Sequence, residues 1–298
     1  METRWMYRTS GDFGELREAS KNVCVIPMGC VEKHGLHLPL GIDCLHSSHI
    51  AHMASQLETC CIFPDFTFGD VNSNAPIEPD GPSPEGYVCV SIDTQMKLLE
   101  ELCFEISRNG YNKILVYNGH GGNQAWLQTF MRKMDSIRTD FIISYVMMDL
   151  PVPHKMAQFI EANGSGSIPE LTVEDEELII KYHKQGMLIG HGGMSETAFM
   201  MGIAPESVHL DRLGKESGIP LNRSIPYKRA GITLSSGGWH LDVPYAFGGH
   251  DPIGCNERIG KAALRIEAER LAAAIKLYKE DTLLWEVHEQ RQRGRRWN

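Results

Sequence analysis

Compact apolar runs alternate with longer amphipathic ones along this chain, and the alternation predicts an α/β fold. NVCVIPMG (22–29), CIFPDFTFG (61–69), KILVYNG (113–119) and FIISYVMMD (141–149) are short, rich in β-branched and aromatic residues and bounded by turn formers, so each predicts a strand. Residues 44–57 carry Leu45, Ile50, Met53 and Leu57 at helical spacing. Residues 91–110 do so more clearly. Met96, Leu99, Cys103 and Ile106 line one face, Ser91 or Asp93 can cap the start, and Gly110 stops the helix. Helices are also predicted over 124–138, over the short stretch 195–202 and over the long amphipathic segment 256–280. Short connections between strand and helix imply a parallel or mixed sheet covered on both faces.

The rest of the pattern is less regular. Residues 70–88, DVNSNAPIEPDGPSPEGYV, predict a long polar loop, a feature that often carries function. Residues 151–190 look like an insertion, with a Gly/Ser stretch (ANGSGSIPE) before an acidic helix, VEDEELIIKYHKQG. Residues 205–250 predict loops and short strands, and the tail 281–298, with Trp285 and Trp297, is expected to pack on a partner subunit. With no internal repeat, the expectation is one domain over residues 1–298. A chain of 298 residues, 42% hydrophobic and 22% charged, has an ordinary globular composition. Its net charge of −9 argues against nucleic-acid or anionic-membrane binding, and the terminal RQRGRRWN reads as a solvated tail. Eight cysteines without a CxxC pair, several inside apolar runs such as VCVIP and LCFEI, predict reduced thiols in a cytoplasmic protein. The N-terminus lacks an apolar signal core, and no run of apolar residues is long enough to span a membrane.

Candidate chemistry changes the picture. Ligands of open α/β sheets bind beyond the carboxyl ends of the strands. Three polar clusters are candidates for that place: GCVEKHGLHLPLGIDCLH (29–46), NGHGGN (118–123) and HGGMSE (191–196). They supply Glu32, His34, His37 and Asp43, then His120, then His191 and Glu196. Carboxylates and imidazoles, with no thiolate in the pattern, suit Zn²⁺, Mn²⁺ or Fe²⁺. Glu32 and His34, two apart in an extended segment, can face one ion. Asp43 is short enough to bridge two, and the glycines around His120 admit close backbone approach. A bound metal brings the pKa of its water towards about 7 and polarises a carbonyl, which is hydrolase chemistry without a serine or cysteine nucleophile. His46, His49 and His52 read as surface or satisfied core histidines. Each cluster alone is weak, since NGHGGN can be a tight turn and HGGMSET a helix start with Ser195 as cap. Their conjunction carries the reading.

Together these motifs resemble the creatininase family, the creatinine amidohydrolases. The match lies in IPMGCVEKHGLHLPLGID (26–43), NGHGGN (118–123), HGGMSET (191–197) and GGHDPIG (248–254), and spans most of residues 20–280. The resemblance implies a three-layer α/β/α sandwich with a central, largely parallel sheet, a homo-oligomer, often a hexamer, and one or two divalent metals per subunit (Zn²⁺ or Mn²⁺, with Fe²⁺ as a further option). It implies Glu32, His34, Asp43 and His120 as metal ligands, with Asp43 bridging, and His191 with Glu196 as the catalytic pair. Two departures stand out. Creatinine hydrolase itself has a glutamate after the NGH segment where this chain has Gly122, which makes Glu196 the candidate to complete a second metal site. A His-Phe-Pro-Gly-Thr stretch common in the family is replaced by GPSPEGYVCV (81–90). The expected activity is metal-dependent hydrolysis of a C–N bond in a small polar cyclic substrate. The alternatives are a C–C hydrolase opening an oxidised inositol ring and a non-catalytic metal-binding subunit. His37 is expected to orient ligands, and Asn118 and Asn123 to brace their loop.

Overall fold

A computed structural model of the chain describes residues 1–71, 86–187, 190–234 and 237–294. Four strands, β1 (Val23–Met28), β2 (Cys61–Ile62), β3 (Lys113–Asn118) and β4 (Ile142–Met147), form one sheet in the order β2-β1-β3-β4, and every pairing is parallel. The register sets Met28 beside Asn118 and Asn118 beside Met147. Three strands therefore finish level, and the segments that leave them start from one edge.

Side chains alternate across the sheet with the period of two that an extended chain imposes. Val23 and Val25 of β1 and Leu115 and Tyr117 of β3 face one layer, while Cys24, Ile26 and Met28 with Ile114 and Val116 face the other. The second layer holds α1 (Phe13–Ala19), α3 (Ile92–Arg108) and α4 (Asn123–Ser136). The first holds α2 (Ile42–Leu57), α5 (His154–Asn163), α6 (Val173–Lys184), α7 (Met194–Ile203) and α10 (Glu257–Glu280). Both faces of the sheet are thus buried, as the apolar strands require, and the architecture is the three-layer α/β/α sandwich. Ser91 caps α3 by accepting from the Thr94 N–H, and Leu99, Cys103 and Ile106 are its buried stripe. Asn256 caps α10 by accepting from the N–H groups of Arg258 and Ile259.

Segment 151–190 packs into the first layer. Met156, Ala157 and Ile160 of α5 and Ile179 and Tyr182 of α6 join the cluster around α10. Helix α6 opens with a capping box between Thr172 and Asp175. The same Asp175 accepts from Arg258 at 2.7 and 3.0 Å and from Asn256 at 2.7 Å, which clips α6 to the start of α10. Helix α7 crosses α10 at a point where a Cβ on Gly260 would lie 2.3 Å from the Ala198 carbonyl oxygen, so only glycine permits the approach. That contact fixes the helix whose first turn carries Glu196.

Several expectations differ from what forms. The strand expected over 61–69 pairs only at Cys61 and Ile62, followed by a single bridge between Met28 and Phe66, because Pro64 interrupts the ladder. Helix α2 begins at Ile42, which places Asp43 in a helical first turn. Among the described residues of 205–250 no strand forms. Short 3₁₀ turns (Pro205–Ser207, Leu210–Arg212), α8 (Ile225–Arg229) and α9 (Gly237–Asp242) close local hydrogen bonds instead. The tail forms α11 (Leu283–Gly294), and Trp285 packs against the protein's own core. Trp297, residues 72–85 of the polar loop and residues 81–85 of GPSPEGYVCV lie outside the described residues.

Burial alone would raise the Asp175 pKa, but Arg258, the Thr172 N–H and Asn256 outweigh it and bring the carboxyl to about 2. A depressed folded-state pKa adds stability above the unfolded value of 3.8 that is lost as pH falls through about 2. Asp175→Ala is expected to lower unfolding free energy near neutral pH by about 2 kcal/mol, with the gap to the parent narrowing below pH 3.8 in denaturant titrations.

Candidate metal centre

The level strand ends bring the three polar clusters together. Glu32 and His34 lie on the segment leaving β1, Asp43 in the first turn of α2, His120 just after β3, and His191 and Glu196 at the start of α7. Groups of Cys30, Glu32, Asp43 and His120, of Glu32, His34 and His191, and of His34, Asp43 and Glu196 each place their potential ligand atoms within 4.8 Å of one another. The chain therefore gathers Glu32, His34, Asp43, His120, His191 and Glu196 in one place. Asp43 is 1% exposed and divides its two oxygens. Oδ2 lies 2.8 Å from His120 Nδ1 and 3.0 Å from Cys30 Sγ, whereas Oδ1 lies 3.3 Å from His34 Nε2 and 3.4 Å from His46 Nε2. Glu32 Oε1 reaches His120 Nδ1 at 3.1 Å and His191 Nδ1 at 3.7 Å, and Glu196 Oε2 is 3.7 Å from His34 Nε2.

Each histidine is held from behind by the main chain. His120 Nε2 donates to the Asp70 carbonyl at 2.6 Å, His191 Nε2 to the Lys33 carbonyl at 2.6 Å, and His34 Nδ1 approaches the Glu32 carbonyl at 3.3 Å. A carbonyl only accepts, so the outer nitrogen carries the proton and the inner nitrogen is left as a lone-pair donor facing carboxylates. This is how proteins orient metal-ligating imidazoles. His34 Nε2 and Glu32 Oε1 are buried without a hydrogen bond, which a cation would remedy. The residues present fit a divalent ion.

The electrostatics agree. Burial would raise the Asp43 carboxyl, yet the imidazoles of His34 and His120 hold it well below its ordinary range. Burial likewise opposes charge on His34, but Asp43 and Glu196 bring it up to about 9. His120 is also raised, against burial, by Cys30, Glu32 and Asp43. Without a metal, protonated imidazoles balance the carboxylates, and a divalent cation can replace those protons. His191 is different, since burial and the neighbouring His34 lower its pKa. Its ring stacks on His34 with centroids 3.8 Å apart.

Neighbouring side chains fix the loops. His37 Nε2 faces the Gly192 carbonyl at 3.0 Å and the Thr197 hydroxyl at 3.1 Å, and burial brings its pKa down to about 4, so it ties the first cluster to the third as a neutral ring. Asn123 Oδ1 accepts from the Asp70 N–H at 2.7 Å and from Trp126 Nε1 at 3.1 Å, while its Nδ2 donates to Asn118 Oδ1 at 2.9 Å. Asn118 Nδ2 donates to the His120 carbonyl at 2.8 Å. Gly122 has a local reason: a Cβ there would lie 2.5 Å from His120 Nε2 and 2.8 Å from the Asp70 carbonyl oxygen, so a side chain would break the hold on His120. A cleft of about 480 Å³ opens above, with Glu32, His120, His191 and Glu196 on its floor and Met147, Met148, Leu150 and Trp239 along its walls.

Three residues were not legible in the pattern. Cys30 brings sulfur to Asp43, although the motif was read as free of thiolates; its only signal is its place two residues before Glu32. His46, fully buried one helical turn after Asp43, makes no hydrogen bond through either nitrogen. Trp239, with its ring centroid 5.1 Å from that of His191 and edge-on to it, comes from α9, where loops and short strands were expected. His49 is exposed and His52 half-buried, away from the site.

Comparisons with known proteins show which family and fold the chain resembles. The creatininase family profile, described as creatinine amidohydrolase, matches residues 7–275. A creatinine amidohydrolase of Pseudomonas putida is 21% identical over 194 residues, 64% of this chain and 68% of that protein. The fold matches the crystal structure of a creatininase (17% identity, TM-score 0.65, 94% of this chain and 99% of the other). It also matches a glutamate-to-glutamine creatininase variant of Zn–Zn type (18%, TM-score 0.66, 94% and 100%) and a structure named for creatininase with Mn (17%, TM-score 0.65, 94% and 100%).

Because Asn123 is fully buried and bonds to three groups, Asn123→Ala is expected to cost about 1–3 kcal/mol in chemical denaturation. An unchanged midpoint would mean that the clasp on the His120 loop is not structural.

Proposed function

The chain belongs to the creatininase family, and from that premise we propose that it is a divalent-metal-dependent amidohydrolase acting on a C–N bond of a small polar cyclic substrate. The observation that carries this reading is the pinning of each imidazole's outer nitrogen to a main-chain carbonyl, which leaves His34, His120 and His191 with donor atoms turned towards three carboxylates. Glu32, Asp43 and His120 would hold one ion and His34, Asp43 and Glu196 a second, with Asp43 shared through its two oxygens. Related structures described as Zn–Zn and Mn forms support zinc or manganese. When bound, the ions supply Lewis-acid activation of water and polarisation of the substrate carbonyl.

The chain's own residues do the rest. His191 Nε2 is committed to the Lys33 carbonyl, so Nδ1 is the atom that takes a proton from the attacking water and returns it to the leaving nitrogen. Its lowered pKa keeps it in the accepting form at neutral pH. Glu196, held by the Gly192 N–H at 2.6 Å, presents its carboxylate beside His34. The walls Met147, Met148, Leu150 and Trp239 offer apolar surface to a planar ring. Among the described residues these walls suit a lactam better than a polyol, which favours C–N over keto-inositol C–C hydrolysis. Eight unpaired cysteines support a cytoplasmic setting, and apolar residues exposed at Leu277, Leu283 and Val287 support a homo-oligomer.

The test is metal analysis coupled to turnover. Stripped protein reloaded with Zn²⁺, alone or together with Mn²⁺, is expected to regain two ions per chain and hydrolysis of creatinine or a related cyclic amide. His34→Ala should lose one ion and the activity. His191→Gln should keep both ions while kcat falls by about 10²–10⁴. A reloaded protein with two ions that opens a keto-inositol and no cyclic amide would overturn the substrate reading, and one that binds no ion would overturn the mechanism.

A further inference from the structure

We propose that Cys30 is a sulfur ligand to the first metal position, so that the two halves of the centre differ in chemical hardness. The inference rests on the metal centre proposed above and adds a ligand that the motif reading left out. Cys30 is fully buried, and its Sγ lies 3.0 Å from Asp43 Oδ2, the same oxygen that faces His120 Nδ1 at 2.8 Å. Sγ, Oδ2, Nδ1 and Glu32 Oε1 are mutually within 4.8 Å. A four-coordinate ion with bonds of about 2.0–2.3 Å separates its ligand atoms by about 3.3–3.8 Å, so the four donors already stand close to the corners of one coordination shell. Glu32 Oε1, on a residue 7% exposed, points into the same space without a hydrogen bond. Cys30 and Glu32 are two apart on the segment leaving β1, the spacing that turns both side chains to one side.

The second position has no counterpart. His34, Asp43 and Glu196 supply nitrogen and oxygen only. Thiolate favours Zn²⁺ and other softer ions over Mn²⁺, which carboxylate and water suit better. The first position therefore selects zinc, and exchange with manganese is confined to the second. On ligation the Sγ–H···Oδ2 hydrogen bond gives way to bonds from both atoms to one ion, and the thiol proton leaves to solvent.

Cobalt reads the ligand directly. Full-length protein stripped by chelator and reloaded with Co²⁺ is expected to show a near-ultraviolet sulfur-to-cobalt charge-transfer band. Cys30→Ser, whose hydroxyl can still donate to Asp43, should lose that band while still binding cobalt at the second position, and its zinc affinity at the first position should fall by about 10–100-fold or more. Cys44→Ser, which alters a thiol that donates to the Cys30 carbonyl at 3.3 Å, should keep the band. Zinc-edge X-ray absorption of the unmutated protein at one ion per chain should show one sulfur neighbour, and this settles the matter if Cys30→Ser does not fold. Cobalt bound without the band, a band that survives in Cys30→Ser, or a zinc shell of nitrogen and oxygen alone would overturn Cys30 as a ligand and leave the metal centre standing. Folded protein that binds neither cobalt nor zinc would overturn the centre itself, and the proposal with it.

Discussion

A carboxylate sealed in the interior at the head of a helix is the constraint around which this protein is organised. Asp43 is 1% exposed, and an uncompensated buried charge costs several kcal/mol. The fold answers by surrounding it with imidazoles from three directions, His34, His46 and His120, and with the thiol of Cys30. Because Glu32 and Glu196 stand within reach of the same imidazoles, the cluster holds more negative than fixed positive charge. A divalent cation is the compact way to balance it, and the buried, unbonded Glu32 Oε1 and His34 Nε2 mark where that balance is incomplete.

The sheet makes the convergence possible. The level finish of β1, β3 and β4 delivers two clusters to one edge, and the close crossing of α7 on α10 at Gly202 and Gly260 brings the third to meet them. The same geometry accounts for the glycine at position 122. The space beside His120 is already filled by the Asp70 carbonyl, so position 122 has no room for a side chain, while Glu196 of α7 stands beside His34.

Much of this was legible in the sequence because it follows from short-range rules. Compact apolar strands, the Ser91 cap, the apolar stripe of α3 and the strand-then-polar-cluster order all obey local chemistry. What was not legible depends on long-range packing. Whether 205–250 would join the sheet depended on contacts with distant segments, which the sequence does not display. His46 read as an ordinary helix histidine because its proximity to Asp43 matters only once both are buried. Cys30 read as one more reduced thiol, and Trp239 as part of a stretch of loops and short strands, because neither motif spacing nor periodicity reports which side chains a distant segment will meet.

The histidines of the centre take their orientation from the carbonyls of residues 32, 33 and 70, not from side chains. Every amino acid carries the same carbonyl, so a substitution at Lys33 or Asp70 that leaves the backbone path alone leaves the rings aimed as before. Divergence can therefore rewrite the rim of the cleft, and with it the choice of substrate, while the inner donors keep their bearings. Redesign of this scaffold has most freedom at the rim and least at the turns whose backbone sets those carbonyls.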